Sequence, residues 1–162
     1  NLKAETRNRR DVDMIYMFAT PDQARLLKPY IDVNISPFAN AIPMYASSRS
    51  HNIDSNSNTR RDLNGLTFTE IPWLLNARQV NQNLAIEAKQ LWPNRSSQLE
   101  RIYAMGIDSM QLVDKVHNMQ LIPMLRYKGE TGTLQMNANR IISRSFSWGK
   151  YRSSRVQSIN LD

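Results

Sequence analysis

The sequence of 162 residues contains no cysteine, which excludes disulfide bonds, thiolate nucleophiles and cysteine-ligated metals. Its longest apolar run falls far short of the roughly 18 residues that a membrane-spanning helix needs, so any membrane anchor must lie outside this chain. Only two histidines are present, His51 and His117, and neither has a second histidine or a carboxylate at the spacing of metal ligands. We therefore expect no bound metal and no cofactor.

Motifs of enzymatic catalysis are also missing. The sequence contains no G-x-S-x-G, H-E-x-x-H, phosphate-binding loop or G-x-G-x-x-G pattern. Ser47 and Ser48 follow a predicted strand, but no base that could activate either hydroxyl can be identified. The sequence therefore predicts a protein that is not an enzyme.

Acidic residues are few, 14 against 21 lysines and arginines, which gives a formal net charge of +7. Such an excess favours an anionic partner, although part of a longer protein shows only part of the total charge. No acidic residue occurs between Thr131 and Leu161, where aromatic and basic residues are interleaved. This pattern is typical of a single-stranded nucleic-acid platform, or of a sheet with aromatic residues inside and arginines at its rim. We favour the sheet, and we expect no nucleic-acid partner.

The beginning of the chain predicts a β-α-β unit. Residues 12–19 and 41–47 are apolar strands, and a helix with a 3.6-residue period begins at Pro21 between them. Thr20 and Gln23 form a T-x-x-Q capping box at the start of this helix. Pro29 lies inside it and should kink or shorten it, because proline has no N–H to donate.

The remainder of the chain predicts further helices and strands. The polar stretch 48–62 is typical of a mobile surface loop, and an alternating stretch that ends at Pro72 predicts a third strand. Helices are expected from about 79 to 92 and within 96–119, and the tail alternates as strands do. The order β-α-β-β-α-α-β-β indicates a mixed α/β fold. Since too few strands are present to surround the apolar first one, we expect the chain to be part of a larger domain.

The helix within 96–119 carries an apolar stripe, which we expect to face the core. Gly106 lies on that stripe and costs about 1 kcal/mol of helix propensity relative to alanine, so we expect it to pack closely against a neighbour. The stripe consists of Leu99, Ile102, Tyr103, Gly106, Met110, Val113 and Val116.

Five blocks of sequence resemble a known family. They are DVDMIYMFATPDQARLLKPYI, IPMYASSRS, LNGLTFTEIPWLL, RIYAMGIDSMQLVDKV and GETGTLQMNANRIISRSFSWGKY. In this order they are similar to the C-terminal domain of the LpoA (LppC) family of outer-membrane lipoproteins of Gram-negative bacteria. The resemblance covers nearly the whole chain, and YASSRS, RIYAMGID and GETGTLQMN are specific to the family rather than to the fold.

The resemblance implies a fold similar to type I periplasmic binding proteins, with two α/β lobes that have mainly parallel sheets and are joined across a hinge. Only part of this two-lobe domain is present in the chain. The resemblance places residues 1–71 in part of one lobe and residues 72–139, including long helices, in part of the other. Residues 140–162 are expected to form C-terminal strands that cross back.

The resemblance also implies a function. Members of the family are non-catalytic regulators of peptidoglycan synthesis that bind and activate a class A penicillin-binding protein. They act in the periplasm from the inner leaflet of the outer membrane, to which a lipid anchor outside this chain would tether them. The candidates for the partner surface are the basic residues of the tail, Arg144, Lys150, Arg152 and Arg155.

The alternative is a periplasmic binding protein or sensor for a small molecule such as an amino acid or a muropeptide. In α/β sheets, ligands bind where strands end and helices begin. The polar candidates at these positions are Thr20, Asp22, Ser47, Ser48, Arg49 and Glu70. We expect the first five to lie together at one edge of the sheet, facing the gap between the lobes.

Overall fold

The computed structural model of the protein describes residues 11–35, 41–77 and 80–160. The strands in these ranges are β1 (Ile15–Met17), β2 (Met44–Ala46), β3 (Thr67–Glu70), β4 (Arg126–Lys128), β5 (Thr133–Met136), β6 (Ile142–Ser145), β7 (Ser147–Arg152) and β8 (Arg155–Ile159). The helices are α1 (Pro21–Asn34), α2 (Ser57–Asp62), α3 (Gln82–Leu91), α4 (Ser97–Leu112) and α5 (Val116–Leu121). Short 3₁₀ turns lie at Ser48–Ser50 and Pro72–Leu75.

The strands form two sheets. The first has the order β1-β2-β3-β7-β8, in which β1, β2 and β3 are parallel and β7 and β8 are antiparallel to their neighbours. The second is antiparallel, in the order β4-β5-β6. The chain therefore leaves the first sheet after β3, forms α3 to α5 and the second sheet, and returns at β7. The division of the domain into lobes at residues 71 and 139 stays a prediction.

The first core lies on one face of the five-stranded sheet. Alternate residues of its strands, among them Met17, Ala46, Phe68 and Tyr151, point to this face because side chains alternate along a strand. Ala24 of α1 packs against them and is fully buried. Burial of these apolar side chains is the main contribution that holds α1 on the sheet.

A second core lies after β3. It joins Ile71 and Trp73 to Val80, to Ala88 of α3 and to Ala104 of α4. Because Ile71 follows the last residue of β3 directly, the two cores meet where that strand ends.

The capping box at the start of α1 is confirmed. The Thr20 hydroxyl accepts a hydrogen bond from the Gln23 N–H, and the Gln23 side chain accepts one from the Thr20 N–H. Pro29 does not end the helix, which continues to Asn34. The predicted start of α3 near residue 79 lies outside the described residues, as do residues 1–10 of the predicted first lobe.

The prediction that the apolar stripe of α4 faces the core is wrong for most of the stripe, although Tyr103 packs against the second core. Leu99, Ile102 and Met110 are 53%, 55% and 80% exposed, whereas Ala104 and Asp108 are buried. The inward side of α4 is mixed: Ala104 lies in the second core, and Arg101 and Asp108 bind the polar groups described below. A Cβ added to Gly106 would meet nothing within 4 Å in the described part of the chain, so the expected close packing is also wrong.

The prediction of a mobile surface loop at 48–62 is wrong as well. The stretch contains a 3₁₀ turn and α2, and Ser50, His51 and Thr59 within it are buried. Polar residues are buried here because they have internal partners: the Ser50 hydroxyl, for example, donates to the Ala19 carbonyl at 2.9 Å.

Gly149 is required by the close packing of the first core. A Cβ at this position would lie 2.8 Å from Phe68 Cζ and 2.9 Å from Leu75 Cδ2, both of which belong to core side chains. We predict that Gly149→Ala lowers the free energy of unfolding of the complete protein by about 1–3 kcal/mol. Gly106→Ala is the matched control and should leave stability unchanged or raise it by up to about 1 kcal/mol. Thermal and urea unfolding measure both, and a neutral Gly149→Ala would contradict this packing.

Candidate functional site

The carboxyl ends of the parallel strands β1 and β2 carry predicted ligand-cleft residues. Thr20 and Asp22 follow β1 at the start of α1, and residues 47–49 follow β2 into a 3₁₀ turn. The hydrogen bond from the Ser50 hydroxyl to the Ala19 carbonyl ties these two strand ends together. The structure therefore places both groups of residues at the same end of the sheet.

The candidate side chains at this edge differ in what they contact within the described chain. The Thr20 hydroxyl is used for helix capping. The Ser47 hydroxyl is buried and has no hydrogen-bond partner among the described residues. The exposed Arg49 side chain lies with its guanidinium carbon 5.6 Å from the centre of the Phe18 ring. The roles of these residues as ligand groups stay a prediction.

Glu70, the sixth candidate, is fully buried at the end of β3. Its Oε2 accepts a hydrogen bond from Arg101 Nη2 at 2.5 Å and lies 2.8 Å from His51 Nδ1. Its Oε1 accepts from Arg101 Nε at 3.1 Å and from the Ile71 N–H at 3.0 Å. Both carboxylate oxygens are thus bound within the protein. We call Glu70, His51 and Arg101 the Glu70 cluster.

The charge of Glu70 is maintained by its partners. Burial alone would raise the pKa of this carboxyl, but hydrogen bonds from His51 and Arg101 and the positive charge of Arg101 outweigh burial. The pKa of Glu70 is therefore held below its ordinary value of 4.5. The group is an ionised carboxylate at neutral pH, which suits a structural ion pair better than a proton-transferring acid.

Arg101 connects three parts of the fold through this cluster. It projects from α4, binds the end of β3 through Glu70, and donates from Nη2 to the carbonyls of Ser48 and His51 at 3.0 and 3.3 Å. The segment after β2 is therefore held against α4. The cluster lies at the junction of the two cores.

A second buried acid lies about two turns farther along α4. Asp108 accepts hydrogen bonds from the N–H groups of Glu130 and Thr131 at 2.7 and 2.8 Å, and from the Thr131 hydroxyl at 2.5 Å. A Cβ at Gly129 would lie 2.7 Å from the carboxylate oxygens, so only glycine lets the loop approach so closely. Burial, together with the charge of Asp108, raises the pKa of Glu130.

The four predicted partner-surface residues are divided between the two sheets. Arg144 lies on β6 of the second sheet, with Nη2 3.5 Å from Met105 Sδ. Lys150 and Arg152 lie on β7, and Arg155 lies on β8. Three of the four therefore belong to one hairpin, and their role at an interface stays a prediction.

Sequence reasoning missed the residues that organise the site. His51 has no carboxylate at ligand spacing in the sequence, because its partner Glu70 is 19 residues away. Arg101 is separated from Glu70 by 31 residues. Two blocks of the sequence could have indicated these residues. RIYAMGID contains both Arg101 and Asp108, and GETG forms the loop that Asp108 binds.

Within residues 11–35, 41–77 and 80–160, no three histidine, aspartate or glutamate side chains come together as a metal site would require. In the same ranges, no helix combines the length and apolar character needed to cross a bilayer.

The fold is that of the type I periplasmic-binding-protein-like class, of which the chain contains part. It superposes on a putative branched-chain amino acid ABC transporter from Rhodospirillum rubrum with a TM-score of 0.68 at 15% identity, covering 91% of this chain and 44% of that chain. It superposes on the LpoA C-domain of Haemophilus influenzae, called a regulator of PBP1A, with a TM-score of 0.74 at 28% identity, covering 94% of this chain and 46% of that chain.

The LppC putative lipoprotein family matches residues 1–154, so the chain belongs to this family. A curated relative, penicillin-binding protein activator LpoA of Aliivibrio fischeri, is 37% identical over 148 residues, which are 91% of this chain and 24% of the relative. The chain thus spans about a quarter of the length of that relative.

Glu70 is expected to matter for stability because its partners would be left unpaired. We predict that Glu70→Gln lowers the free energy of unfolding by about 3 kcal/mol, since it leaves the half-buried Arg101 head group without a counter-charge. Asp62→Asn, which removes the more exposed Arg25–Asp62 pair, is the matched control and should cost less than about 1 kcal/mol. Urea unfolding of the complete protein compares the two. If both variants lose the same small amount of unfolding free energy, the Glu70 cluster does not stabilise the fold.

The lowered pKa of Glu70 also predicts a pH dependence. Because the folded pKa lies below 4.5, the ionised group stabilises the fold above that pH, and this contribution is lost as the pH falls through the folded pKa. The stability difference between wild type and Glu70→Gln should therefore be constant near neutrality and shrink on acidification below 4.5. Unfolding measured as a function of pH checks this, and a difference that grows with acid would contradict it.

Proposed function

We propose that the protein containing this chain is a non-catalytic regulator of peptidoglycan synthesis, which binds and activates a class A penicillin-binding protein. We refer to that bifunctional enzyme as the synthase. The observation that carries the proposal is membership of the LppC family, whose relative in Aliivibrio fischeri is named a penicillin-binding protein activator. The chemistry of the site is consistent with it, because the buried acids Glu70 and Asp108 are engaged in internal hydrogen bonds.

We further propose a location that suits this role. A lipid anchor outside this chain holds the protein at the inner leaflet of the outer membrane, and the domain to which this chain contributes extends into the periplasm. The family name of lipoprotein supports this proposal. From there the protein reaches the synthase through the peptidoglycan layer.

The basic tail is the proposed surface for the synthase. Arg144, Arg152 and Arg155 are exposed, and the formal net charge of the chain is +7. A basic rim speeds encounter with an acidic partner and fixes its orientation more than it adds affinity. Binding should accordingly weaken with salt.

A second candidate is the binding of a small solute, such as an amino acid or a muropeptide. The fold shared with the putative amino acid ABC transporter from Rhodospirillum rubrum favours it, as does the Ser47 hydroxyl, which has no partner among the described residues at the carboxyl ends of the strands. Fold alone does not establish function, so it ranks second. Calorimetry of the complete protein with amino acids, muropeptides and stem peptides distinguishes the two, since tight binding of one solute would favour this candidate.

The activator proposal predicts that the complete wild-type protein raises glycan-strand synthesis and crosslinking by the synthase several-fold. Without the synthase we expect it to convert no peptidoglycan precursor, because the buried acids Glu70 and Asp108 of the described residues are engaged in internal hydrogen bonds. Glycan polymerisation and crosslinking are measured with the synthase alone, the protein alone and both together. Absence of stimulation by the wild-type protein would contradict the proposal, and turnover by the protein alone would contradict its non-catalytic part.

A further inference from the structure

The hairpin of β7 and β8 carries two features that cost stability. Arg152 and Arg155 lie directly opposite each other across the strands, and like charges in such a position repel. Ser153 and Ser154, which connect them, both adopt the left-handed conformation, with φ of 49° and 62°. The Ser153 N–H donates to Asn64 Oδ1 at 3.1 Å, which fixes the turn and therefore holds the two arginines opposite each other.

The positive charge of this hairpin is not neutralised within the described chain. Lys150 lies two residues before Arg152 and so points to the same face of the sheet. None of the ion pairs among the described residues includes Lys150, Arg152 or Arg155. Repelling charges and left-handed turn residues that no contact within the protein offsets are expected at functional sites.

A groove runs along this face beside the basic side chains. It has a volume of about 460 Å³ and is lined by Lys150 and Arg152, by Thr67, which pairs with Lys150, and by Tyr45, which pairs with Thr67. No carboxylate lines the groove. An acidic side chain bound in the groove would contact the cations of Lys150 and Arg152 and the ring of Tyr45, and these contacts would replace its hydration.

The strand β8 forms the edge of the sheet in the described part of the chain. The N–H and carbonyl of Tyr151 both point towards β3, because they bond to Leu66 and Gly65. The direction of the backbone N–H and carbonyl groups alternates from one residue to the next along an antiparallel strand, so the residues on either side of Tyr151 bond to β8. Val156 pairs with Tyr151 and Ser158 with Gly149, so the N–H and carbonyl groups of Val156 and Ser158 point away from β7, towards the open edge. These outward groups can pair with an added strand.

We propose that the β8 edge binds an extended, acidic segment of the synthase, which adds as a strand and places its carboxylates beside Arg155, Arg152 and Lys150. Side chains of an added strand alternate, so those on this face align with Arg155 and then Gln157. An acidic segment of alternating pattern therefore fits both the register and the charge. This inference rests on the proposed function and names the contact that the function would use.

The test compares charge reversal at the hairpin with the same change elsewhere. Arg152→Glu with Arg155→Glu should weaken binding of the complete protein to the synthase at least tenfold at low salt. The control, Lys89→Glu with Arg140→Glu, makes the same change in net charge at exposed sites that line neither the groove nor the pocket beside β8, and should stay within twofold of wild type. Equal effects of both double variants, or no effect of the hairpin variant, would overturn the inference.

Hydrogen exchange tests the added strand without any substitution. The outward amides of Val156 and Ser158 should exchange at least tenfold more slowly when the synthase is bound, and unchanged exchange would overturn strand addition.

The outcomes also separate the two proposals. If the wild type does not bind the synthase, the proposed function fails; if it binds and both hairpin tests are negative, only this inference fails.

Discussion

The ion pair between Glu70 and Arg101 is the interaction on which the arrangement of the two cores depends. A carboxylate that is fully removed from water is costly unless opposite charge and hydrogen bonds replace its hydration. Arg101 provides both with a bidentate contact, and His51 binds the same oxygen from the other side. Since Glu70 ends β3 and Arg101 belongs to α4, the requirement to pair them fixes that helix at the end of the sheet.

Asp108 extends the same constraint along α4. It binds the backbone of the loop at 129–132, so one face of the helix carries two polar anchors, separated by about two turns. With this face directed inward, the apolar stripe that includes Leu99, Ile102 and Met110 is left exposed in the described chain. Ala104, Tyr103 and Ile107 pack in the second core, so the orientation of α4 is set by this packing together with the cost of leaving buried polar groups unpaired.

The polar groups of the fold serve two different purposes. Those of the Glu70 cluster and Asp108 are satisfied internally and connect the elements. Those of the β7–β8 hairpin are left without counter-charges and repel each other, held in place by a turn of two left-handed serines. This combination suits the proposed role, because a rigid frame reduces the entropy lost when an exposed surface is ordered on binding.

Local pattern was sufficient to predict much of the secondary structure. The strand–helix–strand start, the capping box of Thr20 and Gln23, and the mixed α/β class depend on interactions within a few residues, and the printed sequence contains all of these. The blocks of family sequence were sufficient to predict membership of the LppC family. The basic, acid-free tail was visible in the same way, although its division between two sheets was not.

Only the tertiary structure decided which polar residues are buried. A stretch as polar as 48–62 is typical of a surface loop, because single residues give no sign that a partner lies 19 or 31 positions away in sequence. The same long-range pairings bring Arg101 and Asp108 of α4 inward beside Ala104, whereas most of the predicted apolar stripe is exposed in the described chain. Short-range propensity and periodicity are encoded locally, whereas the balance between desolvation and pairing of a buried charge depends on groups that meet only when the chain has folded.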